Sequence, residues 1–404
     1  MKTPARAGIM GGMEAKDART MPELLEIVGQ DAAVARLQQA MGGERMAHAF
    51  LFAGPAGVGR RTTAIALGRT LLCERPAEAP NNGRFEGLSK DAALRQACGA
   101  CRSCKLVAAG SHPDFHLVYK ELARFHDDSE VRNRVMQGLG IPVIRSFLIA
   151  PAARSAGLGR GKVFVVLEAE LMSAPAQNAL LKTLEEPPPD VTIILIARRA
   201  EELLPTTLSR CALIRFALLP RDFVAERLLA SGVGRQEARF WADYTEGAIG
   251  TALRLAEQGM YSVKTDILGR IAALDAGGDA ELGGYLAKTT DTLADAAVKE
   301  VKQQDDAELS RNLAIRQAVG TMLELLASAF RDALTLATRA NRPLTHADQQ
   351  DAIERLAGRF DPTGLAEIID QLGEYERLLW RNANAKIIWD NVVITCASAA
   401  PLRV

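Results

Sequence analysis

The spacing of apolar positions changes character once along this chain, near residue 218. Before that point, short apolar runs alternate with stretches of helical period. Ala49-Phe-Leu-Phe-Ala53, Val163-Phe-Val-Val-Leu167 and Val191-Thr-Ile-Ile-Leu-Ile196 are almost unbroken apolar runs. Strands buried on both faces of a parallel sheet read this way. Phe115-His-Leu-Val-Tyr119 alternates, and Leu213-Ile-Arg-Phe216 adds a short strand. Between the runs, Val34, Leu37 and Met41 share one helical face. AIALGRTLLC follows the first run, and Ile141-Pro-Val-Ile-Arg145 opens an amphipathic helix. Ser173 and Pro175 open QNALLKTLEE, which Pro187-Pro-Pro189 stops. Strands alternating with helices predict a doubly wound α/β domain over residues 22–218. Two stretches fit no element. Residues 75–97 read as a polar, exposed connection, and 120–138 as a charged segment.

Beyond Pro220 the strand signals stop. Short helices over 221–258 suggest a small helical domain at 219–275. DAGGDAELGG (275–284) reads as a linker, and 285–404 is helical in pattern. There Leu323, Leu326, Phe330, Ala333 and Ala337 keep a spacing of three and four, the core face of a long bundle helix.

Composition narrows the choices. A chain of 404 residues accommodates two or three domains of roughly 100–200 residues each. Its 49 basic and 49 acidic side chains cancel, so any nucleic-acid contact must come from a local patch. No apolar run approaches the ~20 residues of a membrane span, and no membrane partner is expected. Residues 1–21 are Gly-rich and charged, without an apolar signal core. They read as a flexible lead-in to a cytoplasmic protein. Three of the six cysteines lie in Cys98-Gly-Ala-Cys101-Arg-Ser-Cys104, clustering that favours a metal over disulfides in a large intracellular chain.

The densest chemistry follows the first apolar run. Gly54-Pro-Ala-Gly57-Val-Gly59-Arg60-Arg61-Thr62-Thr63 joins a strand to a helix, as a phosphate-binding loop does. Glycines there let backbone N–H groups surround an anion at a helix N-terminus. The pattern G-x-x-x-x-G-K-[ST] needs a lysine and a hydroxyl where this chain has Arg60 and Arg61. Arginine keeps the charge but is bulkier and forked. Arg61 offers no oxygen to a metal, although Thr62 follows it. The loop looks poorly fitted to hydrolysis.

Five ordered segments together resemble one family: HAFLFAGPAGVG (48–59), CGACRSC (98–104), GSHPD (110–114), NALLKTLEEPP (178–188) and LLPTTLSRC (203–211). They are similar to the delta-prime subunits of bacterial DNA polymerase III clamp loaders, relatives of the AAA+ ATPases. The resemblance covers roughly residues 22–255. After that only helical character and Arg381-Asn-Ala-Asn384 match. It implies an AAA+-type α/β P-loop domain with a zinc knuckle at about 73–114. A helical lid at 219–275 and an all-α collar at 285–404 would follow.

The resemblance also implies roles. Gamma/tau members hydrolyse ATP, and delta-prime members generally do not. In the Mg²⁺-binding motif an Asp-Glu pair follows the buried strand. Here it is Leu167-Glu168, so the metal ligand is lost and the water-activating acid is kept. Gly250 stands where the lid normally carries a sensor arginine. Losing phosphate clamp, metal ligand and sensor together leaves little electrostatic stabilisation for phosphoryl transfer. Ser209-Arg210-Cys211 is retained, and in the family this arginine reaches a neighbour's ATP. From the residue alone, a structural salt bridge of Arg210 is the other reading.

A structural zinc needs four ligands. Cys98, Cys101 and Cys104 supply three, and the family's fourth position is Cys73, with His112 the alternative. An iron–sulfur cluster also fits the spacing, though nothing else suggests redox chemistry. Cys211, Cys396, Trp241, Trp380 and Trp389 read as packing residues. Glu185 and Glu186 suit a helix end or an interface, Lys182 solvent or a neighbour, and Arg198-Arg199 a bare surface or DNA.

The expected function is that of a non-hydrolysing clamp-loader subunit. It would sit in a hetero-pentamer with gamma/tau and delta subunits and help place a sliding clamp on primed DNA. ATP would not be hydrolysed in its own loop. Two alternatives stay open: an active gamma/tau-type ATPase, with Thr62 or Thr63 serving the metal, and a zinc-containing nucleic-acid-binding adaptor.

Overall fold

The computed structural model describes residues 22–43, 46–133, 138–274, 279, 281–304, 311–381 and 383–398. The expected lead-in (1–21), most of the expected linker before residue 281, and residues 134–137 of the charged segment lie outside them. Two compact units divide at Pro220.

The first unit is built on a parallel sheet of five strands. They are β1 (Ala49–Ala53), β4 (Phe115–Val118), β5 (Lys162–Val166), β6 (Val191–Ala197) and β7 (Ala212–Arg215), in the order β4-β5-β6-β1-β7. All four pairings are parallel. The unbroken apolar runs are β1, β5 and β6. They are central because both their faces are buried: all five residues of β1 and of β5 are, and six of seven in β6. Helices cover both faces, among them α1 (Asp31–Gly42), α2 (Arg60–Leu72), α3 (Arg102–Ala108) and α4 (Ala174–Glu185). Val34, Leu37 and Met41 of α1 are buried. Ser173 caps α4, its hydroxyl accepting from Ala176 N at 3.3 Å, with Pro175 in the first turn. Each large side chain buried this way contributes roughly 1.5–3 kcal/mol.

The connection at 75–97 is mostly exposed, as its polarity predicts, but it carries regular structure of its own. It forms an antiparallel hairpin of β2 (Ala77–Pro80) and β3 (Ala93–Gln96). Phe85 and Leu94 are buried in the same core as α1 and α2. The buried carboxamide of Asn81 satisfies the turn, donating to Phe85 O, Leu88 O and Ser89 O and accepting from Phe85 N. Gln38 of α1 pairs with the backbone of Arg95 like a strand, at 2.7 and 2.8 Å, and so covers that edge. The charged segment is partly ordered as a 3₁₀ stretch (Lys120–Phe125) and a short helix (Ser129–Asn133).

The second unit is helical throughout its described residues. Its helices are α5 (Arg221–Ala230), α6 (Arg235–Tyr244), α7 (Ile249–Glu257), α8 (Met260–Ala273), α9 (Leu282–Gln304), α10 (Arg311–Ala337), α11 (Gln350–Arg359), α12 (Pro362–Trp380) and α13 (Ala385–Ser398). Helix α10 is central and packs on α9, α11 and α12. It is long and apolar enough to cross a membrane by length and composition. Leu323, Leu326, Phe330 and Ala333 are instead buried against its neighbours. Trp389 is buried and donates to Thr290 Oγ1 at 2.9 Å. Trp241 is also buried, but Trp380 is not the packing anchor expected: it is 50% exposed at the end of α12. A buried Lys264–Asp348 ion pair joins α8 to the turn before α11. Lys264 also lies over the Phe240 ring at 4.0 Å, and Tyr261 donates to Asp348 at 2.9 Å.

Candidate functional site

Because the strands are parallel, their carboxyl ends share one edge of the sheet. The glycine loop follows β1 there, Glu168 follows β5 and Arg198 follows β6. The loop is shaped by its glycines. Gly57 and Gly59 have φ of 76° and 97°, values that cost a side-chain-bearing residue energy. A Cβ on Gly54 would lie 2.4 Å from Phe216 O, so only glycine lets β1 leave the sheet beside β7. Gly59 caps α2, and the buried Thr63 returns its hydroxyl to Gly59 O at 2.9 Å. Arg61 and Thr62 stand half-buried in the first turn.

Arg60 folds across the loop, and its Nη1 donates to Ala197 O at the end of β6. Burial lowers its pKa, partly offset by the Glu170 carboxylate. Glu170 in turn lies 3.7 Å from Arg198 Nε, and its Oε2 is buried without a hydrogen bond. Burial raises its pKa against the pull of Arg60 and Arg198. Arg198 thus has a carboxylate neighbour although its side chain is 67% exposed, and Arg199 pairs with Glu202 at 2.7 Å. Glu168 adopts left-handed backbone (φ 50°) and pairs with Lys120 at 3.1 Å. Leu167 beside it packs against the core. Glu170 and Lys120 carry no motif, so spacing alone could not single them out.

Arg210 belongs to the other edge. It precedes the amino end of β7, whose carboxyl end abuts the glycine loop at Phe216 and Gly54. Its Nε donates to Glu185 Oε1 at 2.7 Å, Nη2 meets the same oxygen, and Nη1 donates to Thr206 O and Ser209 Oγ. Glu185 ends α4. The salt bridge weighed for Arg210 thus exists, with the Arg210 side chain still 32% exposed.

The four cysteines converge. Cys73 follows α2, whose 13 residues carry the chain about 20 Å from the loop. The sulfurs of Cys73, Cys98, Cys101 and Cys104 all lie within 4.8 Å of one another, with Cys73 and Cys101 at 3.9 Å. Tetrahedral zinc at about 2.3 Å from each sulfur needs edges of about 3.8 Å, so the donor set fits that ion. Backbone N–H groups of Cys98, Cys101 and Cys104 point at the sulfurs of Cys73, Cys98 and Cys101 at 3.3–3.4 Å. The N–H of Ala100 foremost pulls the Cys98 thiol down to about 6. Burial pushes Cys73 and Cys104 up, a cost that a cation offsets. His112 stands outside this four-sulfur group. Its ring is buried, with Nε2 on Ser103 Oγ at 2.9 Å and Nδ1 accepting from Asp114 N at 3.0 Å. Cys211 and Cys396 lie apart from the cluster, and burial raises both to about 12.

Two family descriptions match this chain: "DNA polymerase III, delta subunit" over residues 29–220, and its C-terminal counterpart over residues 291–395. Together they cover well over half of it. The chain belongs to the DNA polymerase III delta-subunit family. The delta' subunit of Pseudomonas aeruginosa is 39% identical over 165 residues, 41% of this chain and 42% of that protein. The delta' subunit of Escherichia coli is 33% identical over 209 residues, 52% and 54% respectively. The tau subunit of Bacillus subtilis is 25% identical over 380 residues, 91% of this chain and 60% of that one. The match spans about half the length of the delta' relatives. This delta-family chain is thus similar in sequence, over part of its length, to both delta' and gamma/tau polymerase III subunits.

Proposed function

We propose that this chain is a delta-prime-type clamp-loader subunit that does not hydrolyse ATP and lends Arg210 to a neighbouring ATPase site. The carrying observation is topological. Arg210 lies at the amino edge of the parallel sheet, opposite its own glycine loop, so its natural anion is one held by another chain. An arginine supplied in trans contributes ~10³–10⁵ in rate to phosphoryl transfer.

The chain's own loop fits hydrolysis poorly. Arg60 is spent on Ala197 O, Leu167 offers a metal no oxygen, and Glu168 is held by Lys120. With Gly250 at the sensor position, the first turn of α7 carries no basic side chain. Gamma/tau- and delta-type subunits would complete a hetero-pentamer, with residues 219–275 acting as lid and 285–404 as collar. The assembly would load a sliding clamp onto primed DNA in the bacterial cytoplasm. Zn²⁺ on Cys73, Cys98, Cys101 and Cys104 would be structural: four protein ligands leave no open position for catalysis.

The test is hydrolysis by the purified chain. This reading expects no turnover above a Glu168→Gln control. Turnover that Glu168→Gln abolishes would favour the gamma/tau-type ATPase instead.

A further inference from the structure

The surroundings of Arg210 assign a task to a second residue. A guanidinium carries five N–H donors. The bonds to Glu185, Thr206 and Ser209 use four of them and leave one on Nη2. A phosphate is gripped best by two parallel N–H groups, either Nε with Nη2 or Nη1 with Nη2. The first pair faces Glu185. In the second pair, Nη1 is occupied by Thr206 O and Ser209 Oγ. Either fork requires a contact to break before phosphate is held.

Glu185 is well placed to be the contact that yields. It is the last residue of the 12-residue α4, and Glu186 follows it. A carboxylate at a helix C-terminus faces the negative end of the dipole, so the Arg210 cation offsets both the dipole and Glu186. The two side chains are 32% and 46% exposed. An ion pair this open is worth little and exchanges readily.

We propose that Glu185 is a positioning residue: it keeps Arg210 stowed until a nucleoside triphosphate on a neighbouring chain competes for the guanidinium. This rests on the finger reading above and adds its regulation. The phosphate carries more charge than one carboxylate and displaces it. Glu185 touches neither the nucleotide nor the reacting atoms. It therefore sets the nucleotide concentration at which the finger engages and leaves the maximal rate alone.

The experiment reconstitutes the full chain with gamma/tau- and delta-type subunits and follows DNA-stimulated ATP hydrolysis. Glu185→Gln keeps the size and an acceptor oxygen but removes the charge. Its expected effect is an ATP half-saturation lowered about two- to five-fold, the span of an exposed ion pair, at unchanged kcat. The shift should vanish in an Arg210→Ala background and shrink at high salt. A half-saturation that stays or rises in Glu185→Gln, while Arg210→Ala loses activity, overturns the stowing role alone. A shift that survives in the Arg210→Ala background overturns it too. Equal hydrolysis by wild type and Arg210→Ala removes the finger itself, and the stowing with it.

Discussion

Replacing Cys104 by serine should empty the metal site and loosen one module of the first unit while sparing the rest. The buried cluster around the four sulfurs contains only Cys73, Ala97, Cys101 and Cys104, with Cys98 packed beside it. Among the described residues it holds no large hydrocarbon side chain, so a metal bound there would supply what a core otherwise does. Apparent binding energies of structural zinc are about 10–16 kcal/mol in small peptides at neutral pH. A serine hydroxyl stays protonated at pH 7 and gives zinc no thiolate. Affinity should fall by more than the 10–100-fold typical of outer-shell changes. The β2–β3 hairpin is anchored separately through Phe85, Leu94 and Gln38, so it should survive. Metal analysis should find one zinc per wild-type chain and none in Cys104→Ser. Limited proteolysis should then open the variant between residues 98 and 112 and leave 77–96 intact. Stoichiometric zinc in the variant, or none in wild type from zinc-replete cells, would refute this reasoning.

Acid should destabilise the first unit through His116. Its ring stacks on Phe164 at 4.6 Å, its Nε2 is buried without a partner, and burial pulls its pKa down to about 4. The unfolded chain takes up this proton near 6.5, so stability is full above that value and falls as pH drops to about 4, by about 3 kcal/mol in all. Urea midpoints at pH 7 and 4.5 should diverge more for wild type than for His116→Phe, and parallel profiles would refute the assignment. In the second unit, Lys264→Met leaves the buried Asp348 without its cation, with the Tyr261 hydroxyl as its remaining donor, and should cost about 3–5 kcal/mol. Lys264→Met with Asp348→Leu should recover most of that in urea unfolding, and a double variant no better than the single would contradict it.

What the sequence made legible follows physical rules. Strands β1, β5 and β6 announce themselves because a parallel strand buried on both faces reads as a near-continuous apolar run, with Lys162 at the start of β5 tolerated because its ammonium donates to Pro151 O. Helix α4 is legible because Ser173 and Pro175 act within one turn. The hairpin was hidden because Ala77-Glu-Ala-Pro80 has no β-branched residue. It is a strand only through β3, which the Gln38 side chain holds from outside. His112 stayed open as the alternative to Cys73 until tertiary contacts gave it to Ser103 and Asp114. Trp380 shows the limit of residue type: size alone does not say which side of α12 faces the core. The partner of Arg210 lies 25 residues away at the end of α4, a pairing that no local spacing encodes.

The central claim is that this chain serves a neighbour's nucleotide rather than its own. The most direct measurement compares DNA-stimulated ATP hydrolysis by complexes reconstituted with wild-type and with Arg210→Ala chain. The account predicts a fall of about 10³-fold or more at the site facing this chain, with the complex still assembled. Hydrolysis at that site at the wild-type rate would contradict it.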